Sequence, residues 1–248
     1  MSRIILMTLS LIAVIVLHIA AFFFTLNEHS TLEIANRLPV PFIPANYVFA
    51  IWLLIFISLF IWIINFNKRI KLMGAKNLNR ITILFIFSCT LSIAWLFSWH
   101  FGIYNWAIIF EVLLLIVLFA CYTTFPKRLN ELSGRIPFSL LIGWSFFIIL
   151  STTSYSLMFH EWSGFGLSDP SWTVFYMTLC TAFALHFMYH YRDFVINLLY
   201  VWIFVGIAIK NGTEELFISA AAIFLAALIV ACMFIFWKKG IEKLRAVA

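Results

Sequence analysis

Eight apolar runs, separated by short polar stretches, follow one another along the chain of 248 residues. A helix crosses about 30 Å of hydrocarbon in roughly 20 residues, and most of the runs reach that length. The pattern therefore predicts an all-α, polytopic transmembrane bundle of about eight helices, of which the seventh is the shortest. The runs cover residues 4–24, 44–66, 81–99, 105–125, 137–158, 172–188, 194–209 and 216–237.

The first run begins close to the N-terminus and has to be distinguished from a signal peptide. It is too long for the apolar core of a typical signal peptide and lacks a clear small-residue cleavage site. We therefore interpret it as a membrane anchor.

The lysines and arginines fall almost entirely in alternate connections between the runs. If the N-terminus lies inside, 14 of the 16 basic residues lie in inner segments, and only Arg37 and Lys210 lie outside. Basic residues accumulate on the cytoplasmic side of membrane proteins. The distribution predicts that both termini are cytoplasmic and that the number of spans is even.

Two outer connections are long enough to carry structure of their own. Residues 25–42 form the longest, and three prolines between residues 39 and 44 predict a stiff, extended approach to the second helix. Residues 160–171 contain a Gly-Phe-Gly sequence at 164–166 and an Asp-Pro pair at 169–170, both of which are typical of turns.

The composition agrees with a lipid environment and excludes other classes. Only 10% of the residues are charged, against about 25% in soluble domains. The net charge of +6 comes from short loops, which argues against nucleic-acid binding. The cysteines lie in apolar runs without a CxxC pair, so we predict small buried side chains and no zinc site. They are Cys89, Cys121, Cys180 and Cys232.

Glu111 is the only acidic residue well inside a confident run. It lies six residues from the outer end of the fourth run, about 9 Å deep at 1.5 Å per residue. A carboxyl group at that depth costs a few kcal/mol unless it is paired, hydrogen-bonded, protonated or hydrated. Glu111 either forms an interhelical hydrogen bond that specifies packing, or serves a function as the polar group of a ligand cavity or of a proton-carrying site.

Aromatic and small polar residues recur at helical spacing on one face of the second, third and fifth runs. They predict an aromatic pocket that suits a large planar apolar ligand, although ordinary packing would give the same stripes. The fifth run also presents Ile148 and Tyr155 on this face, and the third presents Ser88. The predicted ligand-binding residues are Phe49, Trp52, Phe56, Ser92, Trp95, Trp99, Glu111, Trp144 and Ser151.

Histidines offer an alternative site. His186 and His190 are four residues apart at the inner end of the sixth run, where they could ligate a metal or haem, and His18 stands alone in the first run. We assign no metal site to them. The sequence has no P-loop, HExxH or GxSxG motif, so ATP-driven transport and standard hydrolase chemistry find no support.

Several segments resemble those of one membrane protein family. They are Pro44-Ala-Asn-Tyr-Val-Phe-Ala-Ile-Trp52 with Phe56, Leu91-Ser-Ile-Ala-Trp95 with Trp99-His100-Phe101-Gly102, Glu111, and Ile136-Pro-Phe-Ser-Leu-Leu-Ile-Gly-Trp144. These are similar to the signatures of the tryptophan-rich sensory proteins, the TspO or mitochondrial benzodiazepine receptor family. Trp162-Ser-Gly-Phe-Gly166, Trp172, Arg192-Asp193, Val201-Trp202 and Val205-Gly206-Ile-Ala-Ile-Lys210 resemble the C-terminal extension of its longer bacterial branch.

The resemblance implies a five-helix unit at residues 1–158 and a three-helix extension at residues 159–248. It also implies a cavity for porphyrins, sterols or related ligands below the first long loop, and light-dependent oxidative breakdown of porphyrin that involves Trp52 and Trp144. The chain departs from the family at four places. Ile43-Pro44 stands where the family has a double proline, and Phe56 stands where it has a tyrosine. Ser92 replaces one family asparagine, and a second family asparagine falls close to Thr152.

Three hypotheses follow for a protein of the bacterial plasma membrane. The first is a sensor or carrier that binds a planar apolar small molecule, with porphyrin or haem as ligand rather than resident cofactor. The second is a structural or assembly partner in the membrane without a small ligand. The third is a light-dependent porphyrin-oxidising enzyme. The partners expected are the lipid bilayer, an apolar small molecule and a second copy in a homodimer.

Overall fold

The computed structural model describes residues 2–70, 75–125 and 131–245, and in these ranges the chain forms nine α-helices. Lys71, Lys127 and Arg128, which contribute to the predicted orientation, lie outside the described residues. The helices are α1 (Ser2–Phe23), α2 (Thr31–Arg37), α3 (Ile51–Ile70), α4 (Ala75–His100), α5 (Tyr104–Thr124), α6 (Ile136–Phe159), α7 (Asp169–Tyr191), α8 (Val195–Asn211) and α9 (Leu216–Arg245).

Each predicted apolar run corresponds to a long helix. Seven described helical segments are long and apolar enough to cross a membrane, while α8, with 17 residues, is shorter. The prediction of an all-α polytopic bundle is therefore confirmed, and the seventh run, predicted to be the shortest, forms the shorter apolar helix α8. The seven segments are Arg3–Phe23, Asn46–Phe66, Asn77–His100, Tyr104–Thr124, Ile136–Phe159, Asp169–Tyr191 and Leu216–Lys238.

The first long connection contains a helix that the apolar pattern did not predict. α2 begins with a capping box, in which Ser30 Oγ accepts from the backbone N–H of Glu33 at 3.3 Å and the carboxylate of Glu33 accepts from the N–H of Ser30 at 2.6 Å. These bonds satisfy two backbone donors at the helix start. The Ser-x-x-Glu spacing was the available sequence signal for α2.

The prediction of a stiff, extended approach to the second span is only partly correct. Residues 38–40 are non-helical, but residues 41–43 form a turn, and a 3₁₀ helix at Asn46–Ala50 leads into α3. Proline fixes φ near −65°, which suits turns and helix starts as well as extended chain.

The second outer connection also differs in part from its prediction. The Gly-Phe-Gly sequence forms the predicted turn, with φ values of +67° at Gly164 and +81° at Gly166. The Asp-Pro pair is instead the start of α7, where proline breaks no hydrogen bond because the first helical N–H groups lack helical partners.

The first of two compact units contains Met1–Val40 and Phe49–Trp162. Within it α1 packs on α3 and α4, α4 on α5, α5 on α6, and α6 on α3. The five long helices therefore close into a ring, and α2 packs on α1.

The ring is filled with aromatic side chains at the end that is predicted to be cytoplasmic. The fully buried Trp62 contacts Phe85 and Phe138 with ring centroids 5.1 and 4.9 Å apart. Beside it, the buried Arg135 donates from Nε and Nη2 to the carbonyl of Phe125 at the end of α5. This packing closes that end of the ring.

The second unit contains Pro41–Val48 and Ser163–Ala248, and α7, α8 and α9 pack against one another. The short segment before α3 packs on α8 of this unit: the N–H of Ala45 donates to the carbonyl of Gly206 at 3.1 Å. Asn211 Nδ2 donates to the carbonyl of Pro41 at 3.0 Å. The division of the chain into functional domains at residues 158 and 159 stays a prediction.

Candidate functional site

Three aromatic rings from α3 and α4 surround the imidazole of His18 on α1. The ring centroids of Trp52, Phe56 and Trp95 lie 4.7, 5.8 and 6.2 Å from that of His18. Trp52 and Phe56 are one helical turn apart on α3 and stack at 5.3 Å. The histidine thus joins three helices at one aromatic contact.

α6 contributes Trp144 to the same group of rings. Its indole meets Trp52 edge to face at 5.9 Å and an angle of 80°, and it meets Phe49 at 5.9 Å and 89°. Edge-to-face pairs at these distances are favourable because the positive ring edge faces the negative ring face. The two tryptophans implicated by the family resemblance are therefore in direct contact.

A second arm of rings runs along α4 toward His100. Trp95 stacks on Trp99 at 6.4 Å, and Trp99 meets Tyr155 at 4.9 Å and Tyr104 at 5.4 Å. All these rings form one connected set, which we call the aromatic cluster. Its members are His18, Phe49, Trp52, Phe56, Trp95, Trp99, Tyr104, Trp144 and Tyr155.

Seven buried side-chain atoms on α4, α5 and α6 have no hydrogen-bond partner among the described residues. An unsatisfied buried polar group costs about 1–3 kcal/mol, so such groups are few in native proteins and call for an explanation. They gather on the helices that carry the aromatic cluster, which makes this part of the first unit the candidate site. The atoms are Nε1 of Trp95, Trp99 and Trp144, Oγ of Ser145 and Ser151, Oε2 of Glu111 and the hydroxyl of Tyr155.

Glu111 faces α6 from α5. Its carboxyl group is 2% exposed and interacts with Ser145, the residue next to Trp144. Neither Glu111 Oε2 nor Ser145 Oγ completes a hydrogen bond within the described part of the chain. The site therefore contains a buried carboxyl group with unused hydrogen-bonding capacity.

His18 belongs to the site although it was not among the predicted ligand-binding residues. Its Nδ1 lies 2.9 Å from the carbonyl oxygen of Val14, and its Nε2 lies 3.5 Å from Oγ of Ser92. A polar ring within a membrane-spanning helix was a usable signal, because such residues face the interior of a bundle.

The first long connection is fastened to α4 by His100. Its Nδ1 lies 3.0 Å from the carbonyl of Leu26, its Nε2 lies 3.0 Å from Oγ1 of Thr31, and its own carbonyl accepts from Asn27 at 3.0 Å. Asn27 has a positive φ of 54°, which closes the turn that makes these contacts. The connection is thus held at the end of the bundle that carries Trp99.

The structure brings most of the predicted residues together. Eight of the nine are buried, and Trp52 is partly exposed. Six are aromatic members of the cluster, Ser92 joins it through His18, and Glu111 reaches α6 through Ser145. Ser151 lies between Trp144 and Tyr155 on the buried face of α6. A ligand-binding role for these residues stays a prediction.

His186 and His190 lie elsewhere, on α7 of the second unit. Their ring centroids are 4.5 Å apart and both side chains are exposed. Within residues 2–70, 75–125 and 131–245, no three His, Cys, Asp or Glu side chains gather in a group that could hold a metal ion.

Comparison with known proteins gives one result for nearly the whole chain. No curated protein and no solved structure matches it significantly. The model of one family, described as TSPO-like protein, matches residues 4–235 and so includes both units, all the long helices and the aromatic cluster. The chain is therefore an integral membrane protein that belongs to the TSPO-like protein family.

Proposed function

We propose that this protein binds a planar apolar small molecule, of the tetrapyrrole class, and acts as a membrane sensor or carrier for it. The observation that carries the proposal is the set of seven unpartnered buried polar atoms on the helices of the aromatic cluster. Flat rings supply stacking surfaces, and the indole N–H groups and the Glu111 carboxyl supply a few polar contacts. A site that is mostly aromatic with few polar points suits such a ligand.

The polar atoms favour binding over packing alone. At about 1–3 kcal/mol each, unsatisfied groups within one helix bundle are a substantial cost to the ligand-free protein. A ligand with pyrrole nitrogens and carboxylates would offer acceptors to the indoles of Trp95, Trp99 and Trp144. The partly exposed Trp52 is the member of the predicted set that a ligand would reach first.

The test is a titration of the full chain in detergent with protoporphyrin IX, in which tryptophan fluorescence and melting temperature are followed together. A ligand that binds only the folded state at 100 times its Kd stabilises it by about 2.7 kcal/mol. We expect saturable quenching and a rise in melting temperature. Both should weaken in Trp95→Phe, which keeps a ring but removes the N–H donor, and in Glu111→Gln.

Matched controls lie outside the site. Trp106→Phe changes an exposed indole on α5, and Glu161→Gln changes an exposed carboxyl, so neither should alter the affinity. Equal quenching of heat-denatured protein, or no shift in melting temperature, would contradict the proposal. The assembly-partner hypothesis would then take precedence.

The contact between Trp52 and Trp144 favours a second candidate function, light-dependent oxidation of a bound porphyrin by dissolved oxygen. Indoles are readily oxidised, and two of them in contact would lie beside the excited ligand. Illumination should bleach the Soret band with formation of a defined product. If the double variant Trp52→Phe with Trp144→Phe bleaches porphyrin at the wild-type rate, these residues play no part in the reaction.

The bacterial plasma membrane is the location that we propose. The concentration of 14 of 16 basic residues in alternate connections is the pattern of a protein inserted with both termini in the cytoplasm. Cysteine labelling of the two termini in intact and opened cells tests this orientation.

A further inference from the structure

The end of the second unit that is predicted to be cytoplasmic is basic. α7 ends at Tyr191 and is followed by Arg192, whose side chain is exposed, and α9 reaches the exposed Lys238 at the end of its span. From there α9 continues as a helix to Arg245. Residues 239–245 extend the helix beyond the span by about 10 Å at 1.5 Å per residue.

Basic residues dominate the final stretch of α9. It contains four of them and one acidic residue, Glu242. Clusters of about four to eight lysines and arginines directly at the cytoplasmic end of a membrane helix attract acidic lipid headgroups. The sequence of this stretch therefore favours contact with a negatively charged membrane surface. The basic residues are Lys238, Lys239, Lys243 and Arg245.

The acidic residue beside Arg192 does not add a negative charge to the surface. Asp193 is fully buried, and its carboxylate accepts a hydrogen bond from the backbone N–H of Val195 at 3.0 Å. It is thereby engaged at the start of α8, where a negative charge is favourable because it lies near the positive end of the helix dipole. The exposed charge between α7 and α8 is that of Arg192.

Arg192 has a backbone conformation in which glycine is favoured. Its φ of 56° and ψ of 36° lie in the left-handed region, at the residue that ends α7. A side chain costs free energy in that conformation, and glycine avoids the cost. The chain thus has an arginine where the local backbone alone favours glycine, which indicates that the guanidinium has a use.

The guanidinium of Arg192 lies above an aromatic ring of α9. Its Cζ is 4.7 Å from the ring centroid of Phe236, and the ring of Tyr189 meets that of Phe236 at 5.8 Å and 70°. The ring covers a face of the guanidinium, whereas the N–H groups lie in its plane and fit a phosphate. Tyr189 and Trp237 are 64% and 61% exposed, which is typical of aromatic side chains at the headgroup level of a membrane.

We propose that Arg192 and the basic end of α9 bind the phosphate group of an acidic phospholipid in the inner leaflet. A guanidinium can donate two parallel hydrogen bonds to one phosphate, and the lysines add positive charge around it. The contact with Phe236 holds Arg192 at the level of the headgroups. The inference rests on the proposed orientation of the chain, and it is independent of the small molecule that the first unit is proposed to bind.

The experiment measures lipid binding to the full chain in detergent by native mass spectrometry. Phosphatidylglycerol is the acidic lipid, and phosphatidylcholine, which carries a phosphate but no net charge, is the reference. Wild-type protein should bind phosphatidylglycerol more tightly. One basic residue near an acidic lipid surface changes the affinity by about fivefold, so Arg192→Gln should weaken phosphatidylglycerol binding by about that factor and leave phosphatidylcholine binding unchanged.

Two further variants make the test specific. Arg192→Gly suits the left-handed backbone, so it should keep or raise the melting temperature while it weakens phosphatidylglycerol binding as much as Arg192→Gln does. Arg80→Gln removes an exposed positive charge from the first unit on the same predicted side of the membrane, and it should bind both lipids as the wild type does.

Three outcomes would overturn the proposal. Equal affinity of the wild type for the two lipids would exclude recognition of an acidic headgroup. An equal loss in Arg80→Gln and Arg192→Gln would show a general attraction between charges without a binding site. Competition by soluble glycerol phosphate at the affinity of the lipid would assign the basic end to a soluble anion. Labelling of the C-terminus from outside the cell would overturn the assignment to the inner leaflet.

Discussion

Replacement of Glu111 by methionine distinguishes between two roles for this buried carboxyl group: contact with a ligand, and a contact that holds α5 and α6 together. Methionine is unbranched, similar in length and apolar, so it fills the same space between α5 and α6 without a hydrogen-bonding group. If the carboxyl serves a ligand, its unpartnered Oε2 costs stability in the ligand-free protein, and Glu111→Met should stabilise it. If the interaction with Ser145 holds the helices together, the same change should destabilise the protein.

The magnitude follows from the unsatisfied oxygen. Relief of one such group is worth about 1–3 kcal/mol. In chains of 150–250 residues, 1 kcal/mol moves the melting temperature by about 2–4 °C. We therefore expect Glu111→Met to raise the melting temperature of the ligand-free protein by roughly 2–12 °C while it weakens porphyrin binding. Gain of stability with loss of function is typical of residues kept for binding.

The assay is thermal unfolding in detergent of four proteins: wild type, Glu111→Met, Ser145→Ala and the double variant. Leu114→Met, which changes a buried residue one turn further along α5, measures the effect of methionine itself. A swap of that kind usually costs under about 1.5 kcal/mol. A lower melting temperature for Glu111→Met, with a coupling to Ser145 of about 0.5 kcal/mol or more, would refute the reasoning and assign Glu111 to packing.

Three further expectations concern the scaffold. Gly206→Ala should destabilise the second unit by about 1–3 kcal/mol, since a Cβ there would overlap Cγ2 of Val48, and thermal unfolding should show recovery when Val48→Ala is added. No recovery in the double variant would place the strain elsewhere. Arg135→Lys should lower the free energy of unfolding by about 1–3 kcal/mol, because an ammonium cannot reproduce the two-pronged contact with the carbonyl at the end of α5; an unchanged melting temperature would contradict it. The backbone N–H of Ser30 and, to a smaller extent, its hydroxyl hold the pKa of Glu33 below its usual value. The stabilisation of α2 by the Glu33 carboxylate is therefore present at neutral pH and is lost as the pH falls through that lowered pKa, while the bond from the Glu33 N–H to Ser30 Oγ does not depend on pH. Ser30→Ala should raise this pKa part of the way in an NMR titration, and an unchanged value would show that the Ser30 hydroxyl does not contribute to the shift.

The sequence by itself determined the spans and their buried faces. The 3.6-residue period is a local property, so the spacing of Ser88, Ser92, Trp95 and Trp99 was enough to place them on one side of α4, and all four are buried. The same holds for the stripe that begins at Trp144 on α6. Span length and number likewise follow from composition and the thickness of the membrane, because lipid requires continuous apolar helices.

The tertiary structure decided which faces meet. The ring of five long helices in the first unit brings His18 of α1 against Trp52 and Trp95, and it places Glu111 opposite Ser145. These contacts join residues that are far apart in sequence, and a helical period carries no information about the neighbour that a face will pack against. The apolar pattern also did not predict α2, because that helix is stabilised by its capping box rather than by an apolar stripe.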